Sequence, residues 1–126
     1  PDAQLILIDQ SVVADPAQLR DLLQTQHVTA LICNDAINFR EANNSLIQIS
    51  LRVPDDISIL SLGDTLGDFA TSLRVTYVRL NQEQVGEAAV NRLVSRLDGS
   101  SSDRVQQSLI PCEFVVGDTT TWRGSG

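Results

Sequence analysis

Three compact apolar runs punctuate the first half of the chain. Residues 5–8 end at Asp9, residues 30–33 end at Asn34-Asp35, and residues 57–62 end at Gly63-Asp64. None shows the strict in-out alternation of a strand with one wet face. Continuous apolar strands are what a parallel sheet covered on both faces requires. Between these runs the apolar spacing changes to that of helices. Asp15-Pro16 is a start signal, an N-cap acceptor followed by proline at the first helical position. Leu19, Leu22 and Leu23 follow at i, i+3 and i+4, which predicts a helix to about Gln26. After Asp35, residues Phe39, Ala42, Leu46 and Ile49 recur on one face. Asn43-Asn44-Ser45 weakens that helix, so packing rather than propensity must hold it.

The second half is read the same way. Leu73, Val75 and Tyr77 alternate with Arg74, Thr76 and Val78 in an extended segment with one more exposed face. Asn81 caps a further helix, Gln84 stands at the reciprocal capping position, and Val85, Ala89, Leu93 and Leu97 are its expected buried stripe. Asp98-Gly99 supplies the stop. The "SSSD" of residues 100–103 reads as a turn rather than a domain linker. Pro111 within "SLIPCEFVV" cannot donate to a ladder, which predicts an edge strand or a bulge. The order strand-helix-strand-helix-strand, extended segment, helix, strand gives an α/β fold with a doubly wound, mostly parallel sheet, flanking helices and right-handed crossovers.

A length of 126 residues fits one domain with a single core. There is no methionine, and the reading is of a piece of a longer polypeptide in which residues 124–126 are a tail. No apolar run is long enough to cross a bilayer, and no secretory signal is visible. Sixteen acids stand against nine arginines, with no lysine, for a net charge of −7. Such a surface repels phosphate backbones, so direct nucleic-acid binding by this segment is not expected. Without lysine there is no phosphate-loop lysine and no Schiff base. Cys33 and Cys112 both lie in apolar runs and are expected to be buried, inert core residues.

The recurrence of acids at strand ends changes the picture most. In an open parallel sheet, ligands bind in the crevice beyond the carboxyl ends of the strands. Asp9, Asn34, Asp35 and Asp64 would project from that edge, where carboxylates and a carboxamide can hydrogen-bond the hydroxyls of a small polar molecule. The local alternative stays open beside it: Asn34 or Asp35 caps the following helix and Asp64 opens a turn. Catalytic chemistry finds little purchase. His27 is the single histidine, at a helix end, and one histidine with two scattered cysteines cannot make a zinc site. No serine has a nucleophile-elbow context and no glycine-rich phosphate loop is present. Asp55, Asp56, Asp64 and Asp68 lack the spacing of a calcium loop. The expectation is no enzyme, no catalytic residue, no metal and no cofactor.

"TALICND", "LRVPDDISIL", "LRVTYVRLNQEQVGEAAVNRLVSRLDG" and "LIPCEFVVGDTT", in that order, resemble the LacI/GalR transcriptional regulators. The match covers residues 29–121 and is to the carboxyl-terminal part of their effector-binding domain, which is similar to periplasmic sugar-binding proteins. The resemblance implies a cleft that takes a sugar or nucleoside-like effector, a homodimer, and a cytoplasmic regulator that meets DNA through a headpiece outside this chain. It implies effector contacts at Asn34 and near Asp64, and a hinge crossing at about residues 73–81 within a domain portion covering residues 1–123. It implies that the helix 82–97 belongs with the other subdomain. Phe39, Leu66 and Phe69 are candidate dimer contacts, and each is equally explained as core. The family pattern after the third apolar run is glycine, aromatic, aspartate; here it reads Ser61, Leu62, Gly63, with the acid one residue later at Asp64. That shift motivates a second reading, a domain kept for dimerisation with a degraded pocket. A third is a solute-binding protein of a transporter, which shares the fold.

Overall fold

The computed structural model describes residues 3–63, 72–100 and 105–123. Asp64, Leu66, Asp68 and Phe69 lie outside the described residues, so the expectations placed on them stay as sequence readings.

Asp9 opens a short helix, α1 (Gln10–Ala14), which the apolar pattern did not suggest. Asp15 then caps α2 (Pro16–Thr25), its carboxylate accepting from the N–H groups of Ala17 and Gln18 with proline at the first turn. Free N–H groups at a helix start need such acceptors, and an aspartate there is worth about 0.5–2 kcal/mol over alanine. β1 (Ala30–Cys33) leads into α3 (Ala36–Gln48), and β2 (Ser58–Leu62) follows. β3 (Thr76–Arg79), α4 (Gln82–Leu97) and β4 (Glu113–Val115) complete the order.

The four strands form one sheet in the order β1-β2-β3-β4. β1 pairs with β2 and β2 with β3 in parallel, whereas β3 and β4 are antiparallel. The structure is thus an α/β fold with a parallel-dominated sheet, and Pro111 precedes an edge strand as expected. The core lies between one sheet face and α2 and α3. Leu19, Leu23, Leu31, Cys33, Phe39, Ala42, Leu46, Ile49, Ile57 and Ile59 make it up. Phe39, Leu46 and Leu19 are almost fully buried, so the periodicity of α2 and α3 was read correctly. Helix α1 is tied to this layer by Ser45, whose hydroxyl donates to the Val13 carbonyl at 2.7 Å.

Several expectations are corrected. Residues 5–8 form no strand: Leu5 and Leu7 are exposed and no described strand pairs with them. A strand is stable only when its backbone groups find a ladder, and an apolar run alone does not supply one. The sheet is not covered evenly. In β1, Leu31 and Cys33 face the helices while Ile32 is 58% exposed on the other face. The stripe of α4 is also open: Val85, Leu93 and Leu97 are exposed, and α4 packs against no described helix or strand. Its ends are nonetheless built as the sequence suggests, with Asn81 accepting from the Gln84 N–H at 3.1 Å. Cys112, expected in the core, is exposed just before the edge strand β4.

Candidate functional site

Because β1, β2 and β3 run parallel, their carboxyl ends share one edge of the sheet. Asn34 and Asp35 follow β1, Gly63 follows β2, and Leu80 and Asn81 follow β3. This is the edge at which α/β sheets of this kind place ligands. Gly63 is held there by its N–H donating to the Val78 carbonyl at 3.0 Å. Its φ of +136° is a backbone state that side chains other than glycine's rarely adopt.

The polar side chains divide by what they already touch. Asp35 is the N-cap of α3: it accepts from the Asn38 N–H at 2.8 Å and is half-buried. The local reading therefore holds for Asp35. Asp9 caps α1, accepting from the N–H of Ser11 at 2.8 Å and from its hydroxyl. These bonds, the hydroxyl's first, hold the Asp9 carboxyl below the usual carboxylate range. Since residues 5–8 are not a strand, Asp9 is not a strand-end residue, which corrects its place in the expected set.

Asn34 is exposed, and its only described partner is another carboxamide. Its Oδ1 accepts from Nδ2 of Asn38, one helical turn further on. The Nδ2 hydrogens of Asn34 are left without a partner among the described residues, so its donor edge is the unengaged one. Asn38 was not singled out from the sequence, although an asparagine four residues after Asn34 on a capped helix was the available signal. Phe39, 1% exposed inside the core, offers no surface for a partner chain. The core reading of Phe39 is the one observed.

Two further groups near this edge are silent as chemistry. Cys33 has its thiol pushed up to about 12, by burial first and then by the charge of Asp35. It stays a neutral thiol, which is not the nucleophilic form. The Ser61 hydroxyl, fully buried on β2, has no hydrogen-bond partner among the described residues. His27 follows α2 with φ of 52°, a helix-terminal position as expected. Among the described residues no three His, Cys, Asp or Glu side chains come together to hold a metal ion.

Comparison with known proteins gives this arrangement a family. The model of the periplasmic binding protein-like domain matches residues 4–120. An arabinose metabolism transcriptional repressor from Geobacillus stearothermophilus is 31% identical over 107 residues, which is 80% of this chain and 29% of the relative. Among solved structures, a LacI-family transcriptional regulator from Bifidobacterium animalis subsp. lactis superposes with a TM-score of 0.70 at 23% identity. The match covers 88% of this chain and 40% of that one. The lac repressor dimer bound to operator and an anti-inducer superposes at 0.67, with 25% identity over 82% of this chain and 36% of that one. The chain thus spans less than half the length of each of these relatives.

Proposed function

The chain belongs to the periplasmic binding protein-like domain family, and on that footing we propose that it is part of the effector-sensing domain of a LacI-type transcriptional regulator. The carrying observation is the common rim of three parallel strands with the unengaged carboxamide donor of Asn34 upon it. A hydroxyl or ring oxygen of a sugar-like effector accepts from that donor. Asp64, one residue beyond the β2 rim, is assigned the complementary acceptor role. The family relatives include a regulator of arabinose metabolism, so pentoses are the first class to test. The role is binding rather than catalysis, without a cofactor. The protein acts in the cytoplasm as a homodimer and meets its operator through a segment outside this chain. Residues 73–81 form the crossing between subdomains.

A second reading has an observation in its favour. Asp9 and Asp35 are engaged as helix caps, and the sequence resemblance puts Gly63 at the position of an acid. On that reading the domain serves assembly and its pocket is vestigial.

Titration calorimetry of the full-length protein with L-arabinose, other monosaccharides and nucleosides separates the two. Effector sensing predicts saturable binding that weakens about tenfold in Asn34→Ala, the loss of one hydrogen bond worth about 1–1.5 kcal/mol. No heat across the panel favours the vestigial pocket.

A further inference from the structure

On the side of β2 that faces away from β1, two chain segments follow one another in a single slot of the sheet. β3 fills the part beside Leu60, Ser61 and Leu62. Below Thr76, where β3 has not begun, the chain leaving β4 takes its place. The Ile59 N–H donates to the Thr119 carbonyl at 2.9 Å, and the Thr121 N–H donates to the Ser58 hydroxyl at 3.2 Å.

At the junction of these two segments, side-chain hydroxyls replace the backbone ladder. The Thr76 N–H donates to Thr119 Oγ1 at 2.9 Å, and the Gly117 N–H donates to Thr76 Oγ1 at 3.0 Å. Thr76 Oγ1 also lies 2.8 Å from Thr120 Oγ1. Thr76 is fully buried and Thr119 nearly so, which shields these bonds from water. Just outside, Asp118 grips Arg74 through both oxygens: Oδ1 accepts from Nη2 at 2.9 Å, and Oδ2 from Nε at 3.0 Å. The Asp118 N–H returns a bond to the Arg74 carbonyl. The approach is so close that a Cβ on Gly117 would overlap the Arg74 carbonyl oxygen and come within 2.6 Å of the Val75 backbone.

Beyond this junction β3 and β4 run on together as an antiparallel pair. Arg79 and Glu113 pair across them at 2.8 Å. β3 is also fastened to the strand-end rim, through Val78 and Gly63.

We propose that this hydroxyl splice is a mechanical coupling, joining the start of β3 to the exit of β4 so that β3 and β4 respond as one body with the Gly63 rim. Its use in signalling rests on the effector-sensing reading. The coupling itself does not. Sliding β4 against β3 would break the Thr76, Thr119 and Asp118 bonds together, whereas moving the two strands jointly keeps them all. The splice therefore turns two separate strands into a single connection.

Hydrogen–deuterium exchange of the full-length protein tests this, comparing wild type with Thr119→Val, Thr76→Val and the hydroxyl-retaining Thr76→Ser. The coupling predicts that Thr119→Val raises exchange at least tenfold in residues 57–63, 74–79 and 113–121 together, leaving residues 16–25 unchanged. Thr76→Ser stays close to wild type while Thr76→Val behaves like Thr119→Val. An increase confined to residues 117–121, or equal behaviour of the serine and valine variants at Thr76, overturns it. Should the valine variants fail to fold, Asp118→Asn at the surface is read by the same pattern. A second arm adds L-arabinose. Protection that spreads from the rim to residues 113–121 in wild type, but stops at the rim in Thr119→Val, supports transmission through the splice. Equal spread in both contradicts it. If L-arabinose does not bind wild type, the pentose assignment is what fails, and the ligand-free comparison still decides the coupling.

Discussion

Cys33 and Cys112 show how far one residue's chemistry depends on where the fold leaves it. Cys33 is buried, with its thiol near 12 because burial and the neighbouring Asp35 both oppose the thiolate. Cys112 is exposed. In the native protein, iodoacetamide at neutral pH is expected to modify Cys112 and to spare Cys33 until denaturant is added. Equal labelling rates, read by mass spectrometry, would contradict the burial of β1. The same scale governs Asn34. Its carboxamide is held through Oδ1 by Asn38, so Asn38→Leu frees it to rotate and should weaken effector binding several-fold without unfolding the protein. Asn38→Asp keeps a partner but reverses its polarity, drawing the Asn34 donor inward, and is expected to weaken binding more. Calorimetry beside a thermal melt distinguishes these effects from loss of fold.

At the scale of elements, what could be read in advance divides along physical lines. α2, α3, β1 and β2 were legible because each declares itself locally. Asp15-Pro16 and Asp35 announce helix starts, and Leu19, Phe39, Ala42 and Leu46 repeat at helical spacing. These elements also pack on one another, so propensity and burial agree. Leu46→Ala should cost about 2–5 kcal/mol in chemical denaturation, the usual penalty for emptying a packed core site. A cost below about 1 kcal/mol would mean that the helix layer is not packed as described. Asp35→Ala should cost about 0.5–2 kcal/mol through the lost cap alone. The run at residues 5–8 was misread because a strand depends on a partner that a local pattern cannot reveal. The stripe of α4 was misread for the same reason, since amphipathic spacing says that a face is apolar and not what covers it. The splice was illegible for a different reason: "DTTT" reads as a polar tail until Thr119 is seen beside Thr76, 43 residues away in the chain.

At the scale of the whole molecule, surface ion pairs brace the connections that flank the strands and make stability depend on acid. Asp56 is held down to about 2, by hydrogen bonds from Arg52 before any other cause. Asp118 is also depressed, chiefly by the hydrogen bond from Arg74. A carboxylate whose folded pKa lies below its unfolded value of about 4 adds stability that is complete above that value and is lost as the pH falls through the folded one. Stability is therefore expected to be flat from neutrality to about pH 5 and to fall between about pH 4 and 2. Asp56→Asn with Asp118→Asn should flatten that fall, as followed by denaturant midpoints across pH. No helix of the described residues is long and apolar enough to cross a membrane. The acidic composition and lack of lysine disfavour contact between this part of the protein and a phosphate backbone.

The account turns on the rim where three parallel strands end. Amide chemical shifts of the isotope-labelled full-length protein, followed during titration with a monosaccharide that binds it, locate the contact directly. The largest changes are expected at Asn34, Asp35, Asn38 and Gly63, with the amino ends of the same strands, at Thr29 and Ile57, little affected. Changes concentrated at those opposite ends, with Asn34 and Gly63 unmoved, would contradict the assignment of the site.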